Sequence, residues 1–103
     1  MITAAMLRRK DEAVSITINI HKTHREFTDD QEKLEVTGET IGECIQDLID
    51  RYPGMKQAVL DGKGKLLSQI EIYLNMESAY PDELKKPVKD GDEIHIVVML
   101  AGG

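Results

Sequence analysis

The chain has 103 residues, of which 41% are hydrophobic and 31% are charged, and its formal net charge is −6. This predicts one soluble domain with a single core, and no apolar run approaches the roughly 20 residues needed to span a membrane. The negative charge argues against a nucleic-acid partner and suits a partner with a positive surface. Cys44 is the only cysteine, and no secretory signal pattern opens the chain, so a cytoplasmic protein is expected.

The first half of the chain predicts a β-hairpin preceded by an extension. Residues 1–13 show no periodicity, and we expect them to be mobile. From Val14 to Ile20 apolar and polar residues alternate, as in a half-buried strand. Alternation returns at 33–36, which predicts a second strand joined to the first by a long polar loop over 21–30.

One long helix is predicted next. Thr40 and Glu43 have the spacing of a capping box, which predicts a helix start at Thr40. A single apolar stripe follows, formed by Ile41, Cys44, Ile45, Leu48, Ile49 and Tyr52. Pro53-Gly54 ends the helix. Because Cys44 lies on the stripe, we interpret it as an inert buried thiol rather than a reactive one.

A third strand is predicted beyond two short connecting elements. Residues 55–60 can form a short helical turn, and Asp61 to Gly64 has turn composition. Alternation over 70–74 then predicts the strand, which Asn75 and Ser78 end with polar turn residues.

The last strand follows a charged excursion. Prolines at both ends of 80–87 exclude a central strand there, and we expect Leu84 and Val88 to anchor this segment to the core. A tight turn at 89–92 leads into the strand that begins at Ile94. The order of these elements is hairpin, helix, strand, excursion and strand. It predicts an α+β domain in which one helix packs on one face of the sheet.

Several apolar residues are predicted on the opposite sheet face. Ile94 and Ile96 take the inward parity, so Val97 and Met99 point outward, and Tyr73 has outward parity on its own strand. With Leu100, these residues form a predicted partner-docking patch, because exposed apolar patches mark interaction sites. The alternative is that the excursion or residues 1–13 cover this face.

The chain ends in Gly102-Gly103 directly after the apolar strand, without a polar linker. Glycines have no β carbon, so such a tail can enter a narrow channel and present an unhindered carboxylate. Without further information, a frayed terminus is the competing interpretation.

Six blocks in order and spacing resemble one known family. They are Thr40-Ile41-Gly42-Glu43, Arg51-Tyr52-Pro53-Gly54, Asp61-Gly62-Lys63-Gly64-Lys65-Leu66, Ile72-Tyr73-Leu74-Asn75, Lys89-Asp90-Gly91-Asp92 and Ala101-Gly102-Gly103. The chain thereby resembles the MoaD/ThiS family of ubiquitin-like sulfur carriers over residues 14–103. The resemblance implies a β-grasp fold, a mixed sheet of four to five strands on one main helix, with the last strand parallel to the first in mid-sheet. It divides the chain into an extension (1–13), the domain (14–99) and a flexible tail (100–103).

The resemblance also implies a function for the tail formed by Ala101, Gly102 and Gly103. A partner enzyme would use ATP to adenylylate the Gly103 carboxylate, and a sulfur donor would convert it to a thiocarboxylate. An acceptor enzyme would then take the sulfur for molybdopterin, thiamine thiazole, cysteine or tRNA thiolation. The chain itself would be neither an enzyme nor the holder of a cofactor.

Two other functions remain open. The same adenylate could be attacked by lysines, which would make the protein a ubiquitin-like modifier, or the domain could be a β-grasp interaction module that uses the patch alone. Among single residues, His21 and His24 are weak candidates for metal ligands because no further ligands lie nearby in the sequence. The segment Gly62-Lys63-Gly64 is too short and isolated for a phosphate-binding loop.

Overall fold

The computed structural model describes residues 15–99, which form a five-stranded mixed sheet with a helical layer. The strands are β1 (Ile16–Asn19), β2 (Lys33–Val36), β3 (Ile70–Leu74), β4 (Glu77–Ser78) and β5 (Glu93–Val98). The helices are α1 (Ile41–Arg51) and α2 (Gly54–Val59), with 3-10 helices at Lys22–Phe27 and Glu83–Lys85. The predicted α+β, β-grasp architecture is confirmed, while the predicted strand start at Val14 lies outside the described residues.

The order of strands in the sheet is β2-β1-β5-β3-β4. β1 runs antiparallel to β2 and parallel to β5, and β5 runs antiparallel to β3. The last strand is therefore central and is hydrogen-bonded on both sides. β1 pairs with β5 only as far as His95, whereas Ile96, Val97 and Val98 pair with β3, so the end of β5 is held by the β3 ladder.

The core lies between the sheet and α1. Inward residues of the strands and the apolar stripe of the helix are almost fully buried, among them Ile16, Ile18, Ile41, Ile45, Leu48, Ile72 and Ile94. Cys44 is also fully buried, as the stripe predicts. Burial of each large side chain stabilises the fold by about 1.5 to 3 kcal/mol before the entropy of ordering is subtracted.

The predicted capping box forms at the start of α1. The Glu43 N–H donates to Thr40 Oγ1 at 3.1 Å. The Glu43 carboxylate reaches back to accept from the Glu39 N–H at 2.9 Å, so the box closes on the residue before the cap. α1 ends at Arg51 with Tyr52 as its C-cap, just before the predicted stop at Pro53-Gly54, and α2 confirms the helical turn predicted over 55–60.

The excursion between β4 and β5 is tied to the N-terminus of α1. The Ile41 N–H donates to the Lys86 carbonyl, and the Val88 N–H donates to the Glu39 carbonyl. Leu84 and Val88 pack against the core, as expected from the sequence. This segment therefore packs against the first turn of α1 and the core.

Two predictions of local structure were wrong. The segment from His21 to Asp30 is not a plain loop, because residues 22–27 form a 3-10 helix. Thr28, the residue that follows this helix, donates its hydroxyl to the Gln31 carbonyl at 3.0 Å. The third strand ends at Leu74 and Asn75 lies in a turn, as predicted, but Ser78 belongs to a further strand that the residue pattern did not predict. Asn75 and Met76 both have positive φ, 53° and 73°, and form the two-residue turn of a hairpin that adds β4.

Candidate functional site

Polar contacts join the turn after β3 to the start of β5. Asn75 Oδ1 accepts from the Glu93 N–H at 2.9 Å, and Asn75 Nδ2 donates to Asp92 Oδ1 at 3.0 Å. Asp92, only 7% exposed, also accepts from the Lys89 N–H. These bonds join the hairpin turn after β3 to the start of β5, so the two central strands are locked in register.

The register places the predicted docking residues on one sheet face. Tyr73 lies opposite His95, and Val97 lies opposite Glu71. Tyr73 and Val97 are half-buried, and Met99 is 46% exposed. We call this surface the outer face.

The outer face is more polar than the sequence suggested. The Tyr73 hydroxyl donates to Glu71 Oε1 at 3.3 Å, and Glu71 lies directly opposite Val97. On the other side of β5, Asn19 lies opposite His95 and donates to Glu93 Oε2 at 3.1 Å. Glu71 and His95 were not predicted as site residues, although the outward parity of both positions was readable.

His95 has an unsatisfied polar atom on this face. Its Nδ1 is buried and has no hydrogen-bond partner among the described residues. A buried polar atom without a partner costs about 1 to 3 kcal/mol, and functional sites are one place where such groups persist. His95 is therefore part of the outer face, together with Tyr73, Val97 and Met99.

The predicted tail residues Leu100, Ala101, Gly102 and Gly103 lie outside the described residues, so their assigned roles remain predictions. The structure does describe where they are attached. The Met99 N–H donates to the Gln69 carbonyl at 2.7 Å, which continues the ladder between β5 and the start of β3 by one more residue. The tail therefore leaves the domain from an anchored residue.

The turn after α2 has its backbone amides occupied. Asp61 Oδ1 accepts from the Lys63 N–H at 2.7 Å and from the Lys65 N–H at 3.0 Å. The bond from the Lys65 N–H, and to a smaller extent the bond from the Lys63 N–H, lowers the pKa of the Asp61 carboxyl. A phosphate needs free backbone donors, and a fixed carboxylate in this position would repel it. The geometry agrees with the sequence argument against a phosphate loop here.

Neither Cys44 nor the histidines form a reactive or metal-binding cluster in residues 15–99. Burial is the main cause that raises the pKa of the Cys44 thiol to about 11, and the nearby carboxylates of Asp47 and Glu43 add to it. The nucleophilic thiolate form of Cys44 is therefore rare. His21 Nδ1 is engaged with the Thr23 hydroxyl at 2.8 Å. No group of three or more possible ligands comes together in this part of the chain. None of its helices is long and apolar enough to cross a membrane.

Comparison with known proteins identifies the family. The sequence model of the ThiS family matches residues 18–103. The sulfur carrier protein CysO of Mycobacterium tuberculosis is 31% identical over 93 residues, which cover 87% of this chain and all of the relative.

Solved structures agree with this assignment. A chain of the Amycolatopsis orientalis BexX/CysO complex is 32% identical with a TM-score of 0.78, covering 85% of this chain and 99% of its own. The small archaeal modifier protein 1 of Methanosarcina acetivorans is 26% identical with a TM-score of 0.75, covering 88% of this chain and 98% of its own. The chain therefore belongs to the ThiS family of ubiquitin-like sulfur carriers, and it is a carrier rather than an enzyme.

Proposed function

We propose that this protein carries sulfur as a thiocarboxylate on Gly103, formed by a cytoplasmic ATP-dependent partner enzyme and passed to an acceptor enzyme. One observation carries the proposal: the tail follows directly from β5, the central strand, which is hydrogen-bonded to β1 and β3. A tail on a rigid strand can be positioned in a partner's active site with little loss of conformational entropy in the domain.

The chemistry requires activation because a carboxylate is a poor electrophile. The Gly103 carboxylate oxygen attacks the α-phosphorus of ATP, and pyrophosphate leaves. A sulfide nucleophile then adds to the acyl carbon of the adenylate, the bond from carbon to the AMP oxygen breaks, and AMP leaves with its electron pair. The product is the thiocarboxylate. Each step takes place in the partner, to which this chain contributes the reacting carboxylate.

The acceptor is proposed from the relatives. The relative from Mycobacterium tuberculosis is named a sulfur carrier protein, which supports transfer of sulfur to an acceptor enzyme of molybdopterin, thiamine thiazole, cysteine or tRNA thiolation. In transfer, the thiocarboxylate sulfur would displace a leaving group from the acceptor and form a thioester. Water would then attack the acyl carbon, break the carbon–sulfur bond and regenerate the Gly103 carboxylate, leaving the sulfur on the acceptor.

Mass spectrometry tests this proposal. The purified protein is incubated with the adenylylating enzyme of the same organism, ATP and sulfide. Its C-terminal peptide should gain the oxygen-to-sulfur mass difference, and a chain lacking Gly103 should gain nothing. A spectrum that shows only the unmodified carboxylate, obtained with an enzyme proven active on another carrier, would contradict the proposal.

Protein modification is the second candidate. The relative from Methanosarcina acetivorans is named a modifier protein, and an amine can attack the same adenylate that sulfide attacks. In that case a lysine amine would displace AMP and form an isopeptide bond to Gly103. Isopeptide-linked adducts in cells that express the intact chain, absent when Gly103 is deleted, would favour this function over sulfur transfer.

A further inference from the structure

A groove of about 910 Å³ opens beside β3, at the end of the sheet where β5 stops. We call it the edge groove. Its lining includes Leu66, Leu67, Ser68, Tyr80, Leu84 and Met99. Leu66, Leu67 and Leu84 are partly buried against the core, whereas Tyr80 is 75% exposed. The groove therefore has an apolar floor and an exposed aromatic side chain at its rim.

The groove lies along an open part of the sheet edge. β4 pairs only with Tyr73 and Leu74, and the Ala79 N–H adds one bond to the Ile72 carbonyl. Toward Ile70 no further described strand covers this edge. Because Gln69 is bonded to β5 through Met99, the alternation of an antiparallel ladder turns the Ile70 carbonyl away from β5 and toward the groove. The Ile70 N–H donates to the Leu67 carbonyl at 3.0 Å, so the carbonyl is the backbone group of Ile70 that is left for an N–H of the added strand.

An open edge beside an apolar groove suits an extended peptide. In β-strand addition, the backbone of the edge supplies hydrogen bonds and the groove accepts alternate side chains. The lining carries two lysines and three acidic residues, so net charge does not select the occupant. Apolar contact and backbone pairing must supply the binding.

The length of the tail indicates which protein brings that peptide. Met99 lines the groove and is the last described residue, and four residues follow it. Four extended residues span at most about 14 Å. An enzyme that acts on Gly103 must therefore approach within that distance of Met99, and the groove lies within this reach because Met99 is part of its lining.

We propose that the edge groove binds an extended segment of the adenylylating enzyme. The segment adds to the open edge of β3 at Ile70 and places an apolar side chain against Leu67 and Tyr80. This inference rests on the proposed function, since the occupant belongs to the enzyme that acts on Gly103.

Tyr80→Ser tests the proposal, with Met76→Ser as a matched control. Tyr80 is 75% exposed and lines the groove, whereas Met76 is 73% exposed and does not. ATP–pyrophosphate exchange by the adenylylating enzyme is measured at increasing concentrations of each carrier. Loss of a good interface contact should raise the half-saturating concentration of Tyr80→Ser about tenfold, with the plateau rate unchanged because the tail is intact. Met76→Ser should stay within about twofold of wild type.

Ser68→Trp provides a second test by filling the groove. Its control is Gln57→Trp on α2, since Gln57 is exposed and does not line the groove. Ser68→Trp should also raise the half-saturating concentration, while Gln57→Trp should not. If the wild-type chain supports exchange and both groove variants match their controls, the groove inference is overturned and the proposed function stands. If an enzyme proven active on another carrier gives no exchange with the wild-type chain, both the groove inference and the proposed function are contradicted.

Discussion

Gly42, in the first turn of α1, lies so close to Leu84 that a β carbon on Gly42 would stand 2.8 Å from the Leu84 carbonyl oxygen. This contact joins the helix to the excursion. The backbone around Leu84 is also held by the bond from the Ile41 N–H to the Lys86 carbonyl, so it has little freedom to move away. A side chain at position 42 must therefore strain one of the two segments.

Gly42→Ala is expected to destabilise the domain by about 2 kcal/mol. Overpacking costs about 1 to 3 kcal/mol, and the better helix propensity of alanine offsets at most about 1 kcal/mol. Gly62→Ala is the control, because a β carbon there meets nothing within 4 Å, and it should change the free energy of unfolding by less than about 0.5 kcal/mol. Urea unfolding measures both. A Gly42→Ala domain more stable than wild type would contradict the close contact.

Leu48→Ala is expected to lower the free energy of unfolding by about 2 to 5 kcal/mol. Leu48 is fully buried on α1, and its truncation leaves a cavity under the main helix of a small core. Gln46→Ala on the same helix should cost less than about 0.5 kcal/mol, because Gln46 is exposed. Chemical denaturation of the pair checks the prediction. A loss below about 1 kcal/mol for Leu48→Ala would exclude a central role for the stripe.

His24 is expected to make stability fall in mild acid. It is 8% exposed, and its Nδ1 has no partner among the described residues. Burial, and secondarily the neighbouring His21, lowers the pKa of His24 in the folded state. The unfolded chain therefore binds a proton at a higher pH than the fold does, and stability decreases as the pH falls below about 6.5 toward the lowered value.

The His24→Gln variant isolates this contribution. Its unfolding free energy should fall less steeply between pH 7.5 and 5 than that of wild type, while carboxylates contribute to both chains alike. The difference in slope can reach at most about 1.4 kcal/mol per pH unit for one group. Urea titrations at several pH values provide the comparison. Equal slopes would show that the pKa of His24 is the same in the folded and the unfolded chain.

Val97→Asp and Met99→Asp are expected to weaken docking to the adenylylating enzyme by tenfold or more. An aspartate placed in an apolar contact on the outer face would have to lose its hydration. Gln57→Asp, on the exposed surface of α2, adds the same charge away from this face and should have little effect. Calorimetric titration gives the dissociation constants, and circular dichroism verifies the fold. Unchanged affinity in both variants would remove the outer face from the interface.

Removal of Gly103, or addition of one residue after it, is expected to abolish activation. Either change moves the carboxylate by about 3.5 Å, and a misplacement of 1 Å can already cost about 10²-fold in a positioned reaction. The thermal midpoint of the domain should not change. Exchange of ATP and pyrophosphate reports activation. Wild-type rates for either variant would show that the enzyme does not require Gly103 as the reacting terminus.

Most regular elements could be predicted from the sequence because their signals are local. The strict alternation of apolar residues in β1, β3 and β5 and the Thr40–Glu43 spacing act over a few residues. Two elements lacked such signals. The 3-10 helix at 22–27 lies against α2, where the Phe27 ring would be only 2.8 Å from a β carbon on Gly54, a contact between segments distant in the sequence. β4 depends on a turn in which Met76 takes a φ of 73°, a value usual for glycine.

The sequence by itself determined the parity of the strands, the buried stripe and the resemblance carried by the motifs that end at Gly103. The tertiary structure alone decided which residues share the outer face: Tyr73 lies opposite His95, and Glu71 lies opposite Val97. It also decided that β4 is too short to cover the edge of β3 at Ile70, which leaves the edge groove open beside Met99. Parity follows from the period of a single strand. The register of the outer face depends on pairing between β3 and β5, which are about twenty residues apart in the chain, and the exposure of the edge depends on how far the hairpin of β3 and β4 extends.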